Sequence, residues 1–210
     1  MNARKADGPQ PRTARSLKAQ QKRDEILHIA MDAFATRGYN NASLAEIADR
    51  AGVTQAGVLH YFRSKTLLLT SVLELRDKTD IEQLGDKRPR GLAYLRHLVD
   101  TARHNAEREG IVRLYAVLSA ESTTDSHPAQ QYFRDRYASL RSQVEAALAE
   151  AYELGETRAD LNIGDAANAV IAVMDGLQIQ WLLAPEAVDM AASTERVISA
   201  LLAELTDERS

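Results

Sequence analysis

The residues best placed to do chemistry in this 210-residue chain lie between Ser43 and Lys65. Gln55, Ala56, Gly57 and His60 share the outer face of a short predicted helix, and none is an apolar anchor. A glutamine amide can pair bidentately with adenine, and small neighbours let a helix approach a base edge or a thymine methyl. Ser43, Thr54, Tyr61 and Lys65 surround that face with hydroxyls, a cation and helix amino-terminal N–H groups, which suit phosphate oxygens. The chemistry implied is the reading of double-stranded DNA. Other chemistries lack their parts. There is no cysteine, so disulfides, thiolate metal sites and cysteine nucleophiles are excluded. No Gly-rich phosphate loop, metalloprotease motif or nucleophile elbow occurs, and the chain is not expected to be an enzyme or to carry a cofactor. His97, Asp100 and His104 fall on one helical face at metal-ligand spacing. Without a fourth ligand in sight, a solvated face is the expectation and no metal is assigned.

Charge is divided in the way such a role needs. Residues 1–65 hold eleven basic against six acidic side chains, and the remainder fifteen against twenty-four, for a net −4 overall. A basic amino-terminal part neutralises phosphates while an acidic remainder stays clear of them. The first twenty residues have no apolar core of a secretory signal, and no apolar run approaches the roughly 20 residues of a membrane span. The expected location is cytoplasmic, with no membrane partner.

The elements that must position these groups are all helical. Residues 1–20 mix Gly8, Pro9 and Pro11 with scattered Arg and Lys, and read as a disordered basic arm. From Arg23, Ile26, Ile29, Ala30, Ala33 and Phe34 recur at helical spacing, and Gly38 supplies a stop. Ser43-Leu44-Ala45-Glu46 reads as a capping box opening a second helix. Ala51-Gly52-Val53 is a tight turn, Thr54 caps a third helix, and Ser64 caps a fourth from Lys65 to about Leu84. Two capped helices across a glycine turn are a helix-turn-helix, with Leu44, Ile47, Val53, Val58 and Phe62 setting the angle. Further helices are expected near 90–109, 111–122, 128–154, 164–184 and 189–206. Strand signals are absent. The fold class is therefore all-α, with residues 21–70 as the DNA-binding domain and 71–210 as a larger helical domain.

Residues 23–75 resemble the amino-terminal domain of the TetR family. The resemblance is carried by Ala33-Phe34-Ala35, Gly38-Tyr39, Ser43 to Ala48, Ala51 to Thr54 and Tyr61-Phe62-Arg63-Ser64-Lys65. It implies a regulator whose third helix reads an operator while the lysine at the start of the fourth, here Lys65, grips a phosphate. The chain departs from the family pattern at Leu59, where an aromatic is usual, and at Leu67, where a capping glutamate is usual.

The resemblance also implies a homodimer and a small-molecule effector in the second half, the effector releasing a repressor from its operator. The helix near 164–184 carries apolar residues on most of its surface and is expected to be covered on more than one side. With the helix near 189–206 it would build the two-fold interface, placing recognition helices about 34–36 Å apart or somewhat more. Candidate ligand residues are the polar or aromatic groups near the apolar faces: His97, Tyr115, Glu121, Phe133, Tyr137, Met174, Gln178 and Trp181. The fourth helix joins both halves and is the expected lever.

Overall fold

In the computed structural model, residues 14–84, 89–157 and 162–206 are described. Among them the chain forms α1 (Ala14–Asn41), α2 (Leu44–Arg50), α3 (Gln55–Tyr61), α4 (Lys65–Leu84), α5 (Leu92–Ala106), α6 (Glu109–Glu121), α7 (Gln130–Glu153), α8 (Ile163–Leu183) and α9 (Met190–Thr206). All are α-helices, as the period of the apolar residues requires. Helix α1 begins nine residues before Arg23. Residues 14–20, expected in a disordered arm, are thus helical, and the rest of that arm lies outside the described residues. Ala14, Arg15, Lys18, Ala19 and Gln20 are good helix formers and need no apolar stripe to extend an existing helix. Gly38, at φ 71 and ψ 176, interrupts α1 three residues before its end.

Two cores organise the helices. The first is built on Ile26, Leu27, Ala30 and Phe34 of α1, Ile47 and Val58 of the helix-turn-helix, and Leu68, Leu69, Val72 and Leu73 of α4. It does not end at residue 70. Leu114 and Leu118 of α6 and Phe133 of α7 complete it, so α6 is packed into the base of the DNA-binding unit. The second core joins Leu95 and Val99 of α5, Val144 and Leu148 of α7, Ala167 and Val170 of α8, and Ile198 and Leu205 of α9. The amino-terminus of α5 has no side-chain cap of its own. Glu156, beyond α7, instead accepts from the Leu92 N–H at 2.9 Å and ties the two helices together.

Within the protomer α8 packs against α6, α7 and α9. Only Ala166, Ala167 and Val170 are buried, while Ile179 and Leu183 are 49% and 81% exposed. Of the apolar side chains that suggested double coverage, Ala166, Val170 and Met174 pack into the second core, and Val173, Leu177, Trp181 and Leu182 are half-buried. This helix is long and apolar enough, by length and composition, to cross a membrane. No uninterrupted apolar run of that length occurs in it, because Asp175, Gln178 and Gln180 break the sequence while its average stays apolar.

Candidate nucleic-acid interface and cavity

Helix α3 is short and therefore depends on its ends and its anchors. The Thr54 hydroxyl accepts from the Gly57 N–H at 3.0 Å and caps it. Val58 is fully buried and Phe62 nearly so, which fixes the rotation of the helix. That rotation leaves Thr54, Gln55, Ala56 and His60 exposed and Gly57 and Tyr61 half-buried. Two glycines serve this geometry for different reasons. Gly52 sits at φ 63 in the turn, with open space around it, so the backbone alone demands glycine. A Cβ on Gly57 would lie 3.2 Å from Val53 Cβ and 3.4 Å from Thr54 Oγ1, so packing against the cap accounts for this residue.

Ser43 caps α2 by accepting from the Ala45 N–H at 3.2 Å. The reciprocal half of the expected capping box is not formed. Glu46 is drawn instead to Arg37 of α1 at 2.7 Å, and Arg50 meets Asp32 at 2.7 Å, so two ion pairs brace α2 against α1. At the other end of the face, Ser64 accepts from the Leu67 N–H at 3.0 Å. Lys65 donates to the Asn40 carbonyl at 3.2 Å and stands 4.5 Å above the Tyr39 ring. Partial burial lowers the Lys65 pKa, and the Glu121 carboxylate offsets part of that shift.

Tyr39 therefore positions Lys65, and the sequence reading left it without a role. Its hydroxyl meets Thr66 Oγ1 at 3.1 Å, and its N–H donates to Glu121 Oε2 at 2.7 Å. Glu121 closes the carboxyl end of α6 against the Gly38 break, where a Cβ would lie 1.9 Å from Glu121 Oε1. His127 Nε2 approaches the same carboxylate at 3.6 Å. The His127 ring is buried and accepts at Nδ1 from the Ala129 N–H at 3.2 Å. The signal in the sequence was an aromatic directly after the break glycine.

The second half encloses a cavity of about 580 Å³ between α5, α6, α7 and α8. Of the expected ligand residues, His97, Tyr115, Tyr137, Met174 and Gln178 line it. Glu121, Phe133 and Trp181 do not. Glu121 is spent on the Gly38–Tyr39 junction, Phe133 is 4% exposed within the first core, and Trp181 lies half-buried near the end of α8. The cavity also gathers groups that were not foreseen. Asp77 accepts from Tyr132 at 2.8 Å and from Tyr115 at 3.0 Å, with Arg136 at 3.6 Å. The Tyr115 and Tyr132 hydroxyls also stand in contact, so one of the two can donate to the other in place of Asp77. Burial raises the Tyr132 hydroxyl far above its ordinary range. Asp175 accepts from Tyr137 at 2.7 Å; burial and this carboxylate push Tyr137 up to about 12. Asp175 itself is raised, chiefly by burial. His104 and Asp100 do not converge on a metal: Asp100 pairs with Arg103 at 2.7 Å, and His104 Nδ1 faces its own helix at the Asp100 carbonyl, 2.8 Å away. No metal-ligand cluster occurs among the described residues.

A capped reading helix beside a guarded lysine defines a helix-turn-helix DNA-binding regulator. The chain belongs to the tetR family of bacterial regulatory proteins, whose profile matches residues 26–72. The profile of the BetI-type transcriptional repressor carboxyl-terminal domain matches residues 91–207. The regulator TtgR of Pseudomonas putida is 29% identical over 190 residues, 85% of this chain and 88% of that protein. AcrR of Shigella flexneri is 26% identical over 191 residues, 88% of this chain and 89% of that one. A choline-bound regulator from Saccharomonospora viridis superposes with a TM-score of 0.73 at 20% identity, covering 90% of this chain and 100% of that chain. FadR of Bacillus subtilis, in complex with stearoyl-CoA, gives 0.73 at 18% identity over 87% and 98%. These structural likenesses establish the shared fold.

Proposed function

We propose that this chain is a homodimeric repressor that leaves its operator when a small organic molecule enters the cavity of the second half. One observation carries the reading. Helix α6 lines the cavity with Val112, Tyr115 and Ser119 and ends at Glu121, which holds the Tyr39 N–H beneath Lys65. A ligand that shifts α6 therefore displaces the phosphate-gripping end of the reading face without touching DNA. The ligand lowers operator affinity by its differential binding to the two arrangements, typically about 1–3 kcal/mol. This assigns the lever to α6 together with α4, rather than to α4 alone.

Gln55, Ala56 and His60 read base edges, Gly57 lets the helix pack closely on its cap, and Ser43, Thr54, Tyr61 and Lys65 bind phosphate. The residues 21–70 act as the DNA-binding domain and 71–210 as the regulatory domain. Two copies join through α8 and α9, whose open face includes Ile179, Leu183 and Val197. The choline and stearoyl-CoA complexes of similar folds support a small-molecule site in this half. The protein works in the cytoplasm, where its operator is.

The test is binding to the promoter region beside its own coding sequence, followed by fluorescence anisotropy. Gln55→Ala with Lys65→Ala abolishes specific binding at moderate salt; undiminished binding overturns the assigned face. Lys65→Ala alone lowers the salt slope of binding by about one phosphate contact per protomer. A thermal-shift screen finds effectors, which raise Tm by occupying the cavity.

A further inference from the structure

Between α6 and α7 the chain turns through Ser126. At φ 67 it is the one residue other than glycine with a positive φ among those described. Pro128 follows two positions later, so the backbone of His127 is fixed from both sides, by strain before it and a proline after it. The His127 ring is buried. Its Nδ1 accepts from the buried Ala129 N–H at 3.2 Å and lies 3.1 Å from Ser122 Oγ. A nitrogen that accepts an N–H carries no proton, so the neutral ring bears its hydrogen on Nε2. Nε2 has no hydrogen-bond partner among the described residues and stands 3.6 Å from Glu121 Oε2, beyond hydrogen-bond reach. That oxygen is the one that accepts from the Tyr39 N–H at 2.7 Å. The imidazole also meets the Tyr39 ring edge-on, with centroids 5.4 Å apart, and Lys65 rests over the same tyrosine.

We infer that His127 is a positioning residue for operator binding that works only while neutral. Neutral, it leaves Glu121 to Tyr39; on gaining a proton it takes Glu121 away and loosens Lys65. This rests on the phosphate-binding reading of Lys65 above and places that contact under proton control. The second proton must go to Nδ1. Two N–H groups then face each other, and the buried Ala129 N–H loses its acceptor. Ser122 Oγ can turn to accept the new Nδ1–H. The ring is now a cation 3.6 Å from a carboxylate oxygen, in a partly buried place where opposite charges attract more strongly than in water. It is repelled from Ala129 and drawn to Glu121. Closing that gap turns Oε2 from the Tyr39 N–H, because one oxygen is contested by both. The Glu121 charge also supports the ammonium of Lys65, and an imidazolium beside it cancels that support. The charged and titratable groups facing the ring are Glu121 of α6, Tyr39 of α1 and, across the tyrosine, Lys65 of α4. Toward α7 it meets the Ala129 N–H. Imidazoles change charge between about pH 5 and 8, so the control acts within that range.

The experiment is anisotropy on operator DNA with the full-length protein at constant ionic strength, from about pH 8 to about pH 5.5. Four proteins are compared, each against its own affinity at the alkaline end: wild type, His127→Asn, Glu121→Gln and Lys65→Ala. Asparagine sets its Oδ1 near the place of Nδ1 and keeps an acceptor for the Ala129 N–H, but it cannot take a proton. Glutamine at 121 keeps an acceptor for the Tyr39 N–H without the charge that draws an imidazolium. As pH falls, wild type loses at least about tenfold in affinity relative to His127→Asn and to Glu121→Gln. Protonation of exposed histidines such as His60 favours DNA in all of these proteins, so the relative loss has the opposite sign to simple charge. A wild-type profile parallel to either variant, or one that rises more steeply in acid, overturns the role of His127. If His127→Asn gives no cooperative melt, the comparison with Glu121→Gln decides in the same way. Lys65→Ala separates the two levels. If it binds the operator as tightly as wild type at the alkaline end, the reading of Lys65 has failed and the inference with it. If it binds more weakly while the other profiles run parallel, only the role of His127 is overturned.

Discussion

Gly38→Ala tests the link between the two halves at a single atom. Gly38 sits at φ 71 and ψ 176, a region that side-chain-bearing residues enter at a cost of about 1–3 kcal/mol. The added Cβ would stand 1.9 Å from Glu121 Oε1, so the carboxylate must swing away. Swinging away breaks its 2.7 Å bond from the Tyr39 N–H, a charged hydrogen bond contributing about 1.5–3 kcal/mol where it is partly buried. The single variant therefore loses roughly 3–5 kcal/mol. In a chain of this size the Tm falls on the order of ten degrees. Glu121→Ala removes the hydrogen bond by itself and opens the space that the new methyl needs.

The two changes are therefore not additive. In the Glu121→Ala background, Gly38→Ala costs only its backbone strain, giving a coupling of about 1.5–3 kcal/mol in a double-mutant cycle. Urea unfolding of the four proteins supplies the energies, and anisotropy on operator DNA supplies affinities. Both single variants weaken DNA binding as well, because Lys65 is positioned by the Asn40 carbonyl and the Tyr39 ring. Additivity within about 0.5 kcal/mol refutes the contact between residues 38 and 121. Unchanged operator affinity in Glu121→Ala refutes its role in carrying the signal, whatever the stability shows.

Three further outcomes are expected. Thr54→Ala removes the cap accepted from the Gly57 N–H, lowers stability by about 1 kcal/mol in urea unfolding, and weakens DNA binding more than Thr54→Ser. Asp175→Asn raises Tm near pH 7. Its carboxyl is raised from the ordinary 3.8 by burial, so the folded state holds that proton more tightly, and the penalty grows as pH rises through the folded pKa. The stability gained by the variant must vanish in melts carried out at or below 3.8. Ile179→Glu with Leu183→Glu charges the open face of α8; light scattering reads a monomer, and operator affinity falls on the order of a hundredfold as the second half-site is lost.

What was legible in the sequence was whatever local chemistry decides. Gly52, Thr54 and Ser64 announce a turn and two caps through properties of their own backbones and hydroxyls, and the structure uses each of them so. Val58 and Phe62 set the rotation of α3 by the same periodicity that exposes Gln55 and His60. Long-range choices were not legible. Glu46 had a local partner in its own capping box and a distant one in Arg37, and only the packing of α1 on α2 decides between them. Glu121 read as a polar group near an apolar stripe, which describes a cavity residue and a helix-end brace equally well. Asp175 carried a visible signal, a carboxylate in the middle of the most apolar helix, but its tyrosine partner lies 38 residues away in sequence.

The route from cavity to DNA is short because the two halves are not separate bodies that touch. Leu114 and Leu118 of α6 are fully buried in the same core as Phe34 and Leu69. Interiors packed at that density do not deform gradually; they change between discrete arrangements. On one side of α6, Tyr115 contributes to the cavity wall and holds Asp77 of α4 at 3.0 Å. At its end, Glu121 holds the residue on which Lys65 rests. On the proposed function, a molecule that rearranges the Tyr115 hydroxyl network acts on α4 at two points through one helix: at Asp77 in its second half and at Lys65, its first residue. On the same proposed function, Lys65 needs to move only beyond hydrogen-bond reach of a phosphate for operator affinity to fall, so a small displacement of α6 is sufficient.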